Sequence, residues 1–218
     1  MADWAALARQ REERYRDGES RLPATEDADQ RQRQLTRMGN AAGAAGLAHL
    51  MAGDGEAAGW FHRGAARYRE SWEDAPAGSW GRPIGAIKSL ILAGDWAAAE
   101  QAARWPLEAG AATDDSPIGR YAAALALLVL GRNEEARHVA ATIRDREDFP
   151  PPVADALTTI AAEDRAGYLV AVEDVLDSFE RRDEYLEDMP VADTVLVLQA
   201  LAARRDLAVD LPASELLP

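Results

Sequence analysis

The chain has 218 residues, enough to bury a full core, and is 48% hydrophobic and 28% charged, the balance of an ordinary globular protein. It has no cysteine, which excludes disulfides, thiol chemistry and thiolate metal sites. A formal net charge of -14 argues against nucleic acid and anionic lipid as partners, because phosphate binding rests on Lys and Arg neutralisation.

That charge is unevenly placed. Residues 1–38 hold eight Arg and eight acids, whereas residues 147–218 hold seventeen acids against five Arg. The basic side consists of 23 Arg and a single lysine, Lys88. High-GC coding or a salt-rich cytoplasm accounts for such a bias without functional meaning. The opening "MADWAALARQREERYRDG" lacks the apolar core of a signal peptide, and the longest apolar run, "YAAALALLVLG", is about half the roughly 20 residues of a membrane span. A cytoplasmic protein that does not enter membranes is expected.

In chain order, Asp3 reads as the cap of a first helix reaching about Tyr15, with Trp4, Leu7 and Arg11 along one face. The stretch "RDGESRLPAT" reads as a break. Thr25 with Glu26 and Asp27 then starts a helix that runs into "LAHLMAGD", with Gly39, Gly43 and Gly46 as candidate interruptions. "GEAAGWFHRGAARYRESW" is the next helix and "EDAPAGSWGRP" a loop. Seven further segments keep the helical period, among them "AGYLVAVEDVLDSFERRDEYLED" and "PVADTVLVLQALAARR". Pro117 and Pro190 stand where a helix begins, the helical position that needs no N–H. Val191, Val195, Leu198 and Ala202 fit a helix better than a strand, so the expected class is all-α.

One turn recurs. "LAHLMAGDGEAAGWF", "KSLILAGDWAAAEQA", "LLVLGRNEEARHVA" and "LTTIAAEDRAGYLVA" each place a polar turn between two helical patterns, at Gly53, Gly94, Gly131 and Glu163. Five residues on from each first turn position stand Ala58, Ala99, Ala136 and Tyr168. Glycine ends the first helix in a left-handed conformation, the neighbouring polar residue caps the second, and a small residue lets the pair approach. No single pair buries both its faces, so copies must stack.

At these residues, above all Gly131, Glu135, Ala136, Ala140 and Pro150, the chain resembles tetratricopeptide-like helical repeats. The resemblance covers roughly residues 40–183. It implies antiparallel helical hairpins stacked as a divergent tetratricopeptide-like α-solenoid of about 9–11 helices, in one domain. Residues 1–24 would form an N-terminal helix and loop, residues 25–183 the hairpins, and residues 184–218 a capping helix and tail. The Trp and Leu usual early in the first helix of such repeats are missing, and Pro106 interrupts the second copy. The end of the chain also resembles the closing segment of an all-helical family of bacterial immunity proteins from polymorphic toxin systems, at Leu196, Leu198, Ala200 to Ala202, Arg204, Ser214, Leu217 and Pro218.

Little points to catalysis. His49, His62 and His138 show no paired ligand spacing, adjacent acids in a helix do not face one another, and no P-loop, GxGxxG or GxSxG is present. No metal, cofactor or catalytic residue is assigned. Two surface candidates remain. The first gathers Arg67, Arg69, Trp72, Trp80 and Arg82 on a helix end and loop, residue types that anchor interfaces; alternatively Tyr68 and Trp72 pack inward while Trp80 fills the loop. The second is an acidic stripe, Glu173, Asp177, Glu180, Glu184 and Glu187, read either as a solvated face or as a surface for a basic partner. The expected function is a non-enzymatic helical-repeat adaptor binding a protein or peptide. The alternatives are an immunity protein that covers a toxin with its acidic face, and an enzyme of unrecognised mechanism.

Overall fold

Residues 2–218 are described by a computed structural model. Among them lie ten α-helices and no strand: α1 (Trp4–Arg21), α2 (Ala28–Ala52), α3 (Ala57–Trp72), α4 (Gly81–Leu92), α5 (Trp96–Glu108), α6 (Pro117–Val129), α7 (Asn133–Ala141), α8 (Pro151–Ala161), α9 (Arg165–Glu180) and α10 (Asp193–Ala203). Side-chain caps open five of them. Asp3, Asp27, Asp95 and Asp164 each accept the backbone N–H three residues on, and Ser116 accepts that of Ile118.

The four recurring turns share one hydrogen-bonded geometry. Gly53, Gly94, Gly131 and Glu163 all have positive φ, between 55° and 74°. At each, the N–H of the following residue bonds the carbonyl five back: Asp54 to His49, Asp95 to Leu90, Arg132 to Leu127 and Asp164 to Thr159. This is the left-handed closure that satisfies the last carbonyls of a helix. In the first copy Gly55 displaces the start of the next helix, and Asp54 turns back to His49 instead of capping.

Each helix from α1 to α9 packs on its successor; alternate helices also touch, α2 with α4, α4 with α6 and α6 with α8. Helix α6 is the most enclosed, buried continuously from Ala122 to Val129. Helix α10 does not continue the series outward. It returns to lie against α4, α8 and α9, and the tail behind it is tied to the body. Arg205 donates to the Leu128 carbonyl and to Asn133 Oδ1, both at 2.7 Å, and Ala192 donates its N–H to Leu216 O at 3.0 Å.

Four expected helix limits change. Helix α1 runs through "RDGES" to Arg21, because Gly18 lies against α2 where a Cβ would meet Gln34 and Met38 at 2.7 Å. Helix α2 is unbroken by its glycines, and α5 continues through Pro106. Helix α9 stops at Glu180, so Glu184 and Glu187 leave the acidic stripe. No helix among the described residues is long and apolar enough to cross a membrane.

Helices α1 and α2 are latched by a histidine. His49 Nδ1 faces Asp54 and Nε2 faces Glu12, each at 2.8 Å. Only the doubly protonated ring donates to both. Burial opposes that charge, but the two carboxylates outweigh it and hold His49 above its ordinary range.

Three outcomes test these features. Gly131→Val should lower stability by about 1 kcal/mol or more, and Glu163→Gly should raise it by about 1 kcal/mol, both read from thermal melts. Because the folded-state pKa of His49 is raised, its contribution is full below the unfolded value near 6.5 and fades as pH rises through the folded one. Chemical denaturation across that window should show the loss in the wild type and a flatter profile in His49→Gln.

Candidate functional site

A cavity of about 530 Å³ opens between α2, α3, α4 and the segment joining α9 to α10. Its walls follow from helical spacing. Thr36, Asn40, Gly43, Ala44 and Leu47 share one face of α2, and Ile84, Gly85, Lys88, Ser89 and Leu92 share one face of α4. The opposite face of α4, with Ala86, Ile87, Leu90 and Ile91, enters the core. Glycine shapes the space between. Tyr68 lies between Gly39 and Gly85, where a Cβ would stand 2.9 and 2.6 Å from its ring. At Gly43, by contrast, a Cβ would meet nothing within 4 Å. The cavity is open there.

Lys88, the one lysine of the chain, stands in this wall with its side chain 15% exposed. Its Nζ lies 2.5 Å from Asp193 Oδ2 and 3.1 Å from Thr194 Oγ1, at the start of α10. Burial works against its charge, but the Asp193 carboxylate prevails and keeps the ammonium above the usual lysine range. Arg182, which also lines the cavity, pushes the other way. The Tyr68 hydroxyl donates to Asn40 Oδ1 at 2.8 Å. Burial first, then the negative charges of Asp193 and Glu187, raise its pKa well above that of free tyrosine. Tyr121, behind Lys88, is raised as well, chiefly by burial.

Residues 181–192 form a strap along the cavity. Glu187 and Asp188 both have left-handed backbones, φ 57° and 50°, a conformation that costs of order 1–3 kcal/mol for residues with a Cβ. The turn sends Glu187 inward. Its side chain is 8% exposed, with Oε2 2.8 Å from Arg14 Nη1 and 4.0 Å from Arg11 Nη1. Met189 and Val191 are buried against Ala8, Ala44 and Ala48.

The Trp and Arg residues singled out in the sequence lie beside this site and mostly face one another. Trp72 packs against Trp80 and Trp105 with ring centroids 5.7 and 5.2 Å apart, and Trp80 is 4% exposed. Arg69 covers the Trp105 ring. Arg67 is held by Tyr15, Glu19 and Glu70, and Arg82 by Ser71 and the amide oxygen of Gln32. Of this group Trp80 and Arg82 line the cavity. On α9, Asp177 pairs with Arg181 at 2.9 Å and Glu180 accepts from Ser214 at 2.7 Å, while Glu173 is half-buried. Glu184 is exposed off the helix end, and Glu187 belongs to the strap.

Asn40, Lys88, Arg182 and Asp193 carried no sequence-level assignment. Lys88 had one visible signal, being the only lysine among so many arginines. Its partners had none, since Thr194 lies 106 residues away.

Neither a protein-family model, a curated protein nor a solved structure matches this chain. The residues of the cavity are what function must be read from.

Two glycines of one cavity should respond oppositely. Gly85→Ala drives a methyl into the buried Tyr68 ring and should destabilise by about 1–3 kcal/mol. Gly43→Ala meets open space in mid-helix and should stabilise by roughly 0.5–1 kcal/mol. Urea titration of both variants reads the difference.

Proposed function

We propose that this protein is a non-enzymatic binding module, a divergent tetratricopeptide-like stack of helical hairpins that takes part of a protein or peptide partner into the cavity beside α2 and α4. The four equivalent left-handed turns and the contacts between alternate helices support the stacked-hairpin reading. The observation that carries the binding reading is the open space at Gly43, faced by Asn40 and Lys88 and walled by Leu47, Phe61 and Ile84. An apolar pocket with a few convergent polar groups is the usual form of a ligand site.

The protonation states favour binding over proton transfer. Lys88 is held as ammonium, and Tyr68 as neutral phenol, at ordinary pH. Neither is poised near neutrality as a general base would be.

The immunity-protein reading draws on a different feature. Asp174, Asp177 and Glu180 are exposed along α9, and the acid-rich C-terminal part of the chain would complement a basic toxin surface. Reversing Glu173, Asp177 and Glu180 together separates the two, since it abolishes salt-sensitive binding only if α9 is the interface.

For the cavity, Gly43→Phe is the decisive variant. Its ring fills the space while the helix keeps its geometry. The partner that co-purifies with the wild type should be lost from Gly43→Phe at an undiminished melting temperature. A partner retained by that variant would move the interface elsewhere.

A further inference from the structure

The binding reading leaves open what kind of group enters the cavity, and the balance of charge along its walls answers this. Three cations line it, Arg82, Lys88 and Arg182. Two carboxylates line it as well, but Glu187 faces Arg14 and Arg11 of α1. Asp193 alone faces Lys88. Arg82 donates to neutral oxygens, those of Ser71 and Gln32, and Arg182 lies over the Phe179 ring, 3.7 Å from its centroid, in no ion pair with a carboxylate among the described residues. In a chain of net charge -14, the lining thus carries one more cation than carboxylate.

The donors are also incomplete. An ammonium has three N–H groups, and Lys88 places two of them, on Asp193 and Thr194. Asn40 uses its amide oxygen to accept from Tyr68, while its amide nitrogen donates to no side chain or backbone atom among the described residues. Arg182 and Lys88 line one cavity as like charges, which an anion held by both would offset. Leu47, Phe61, Ile84, Leu92 and Met189 supply the apolar part of the wall, beside the hydroxyls of Thr36, Ser79, Ser89 and Tyr185.

Building on the cavity-binding reading, we propose that the cavity recognises a carboxylate carried on an apolar stem, the carboxylate accepting from Lys88 and Arg182 and the stem lying along Leu47, Phe61 and Ile84. A cationic head on the same stem would meet the two cations. A neutral head would offset neither charge.

Three eight-carbon probes isolate the head group: octanoate, octan-1-ol and octylamine. Calorimetry supplies the affinity. Octanoate should bind, and octan-1-ol and octylamine should not. Arg182→Gln, at an exposed position, should weaken octanoate roughly tenfold or more, the worth of one charge-assisted contact. Gly43→Phe should abolish its binding.

Equal affinity for octan-1-ol would overturn the carboxylate assignment while leaving the cavity as a binding site. Octanoate binding unaffected by both variants would place the acid elsewhere and overturn it too, as would failure of all three probes. The cavity reading itself stands or falls separately, on whether Gly43→Phe loses the co-purifying partner.

Discussion

The contact on which the site depends is the ion pair between Lys88 and Asp193. It joins α4, in the first half of the chain, to the first turn of α10 near its end. Burying two charges costs several kcal/mol per ion before their attraction is counted, so such a pair adds little net stability against an apolar alternative. Its directionality matters more. Asp193 sits in the first turn of α10, where the helix dipole also favours an anion, and Thr194 adds a second acceptor for the ammonium. With those two points held, α10 returns onto α4, and the chain from α9 must cross the cavity to reach it. The strap, the inward turn of Glu187 and the enclosure of the cavity follow from that return.

Glycine decides the shape of what is enclosed. The face of α3 that meets α2 and α4 carries Phe61 and Tyr68, two large rings, and helices normally pack 8–10 Å apart. Gly46 yields to Phe61, and Gly39 and Gly85 yield to either side of Tyr68. The rings therefore sink between the helices. Gly43 has no ring opposite it, so the same close-approach pattern leaves a gap on its side of the wall. A gap beside two pinned aromatics is a preorganised space, since neither ring can swing in to fill it without displacing its glycine neighbours.

Local signals in the sequence were legible, and distant ones were not. The four turns could be read because a left-handed helix end needs only a few adjacent residues, and even Glu163, with a Cβ, adopts the same closure. Helix lengths were less legible where tertiary contact overrides propensity. Gly18 looks like a breaker until the side chains of Gln34 and Met38 are seen against it, and Gly39 and Gly46 look like interruptions until the rings opposite are known. The acidic stripe is shorter than its spacing predicts for another reason. Its spacing continues past Glu180, but Arg181 closes the helix and the left-handed pair at Glu187 and Asp188 turns the last acids away. The pairing of Lys88 with Asp193 leaves no periodic trace at all. Composition alone marked Lys88 as unusual, and composition does not say where a residue points.

The surface and the cavity therefore carry opposite electrostatic instructions. A net charge of -14 repels anions at long range, and most of it lies in the C-terminal part of the chain. At physiological ionic strength, however, exposed charges are screened beyond about 8 Å, whereas charges inside a half-enclosed cavity are screened much less. A carboxylate at the mouth is governed by Lys88 and Arg182, not by the distant acids. The long-range repulsion then acts on the rate of arrival and the local cations on the stability of what arrives. An acidic protein with a cationic pocket discriminates on both counts: a basic ligand is drawn to its surface and refused by its cavity, and an apolar acid is slowed on approach and held once inside.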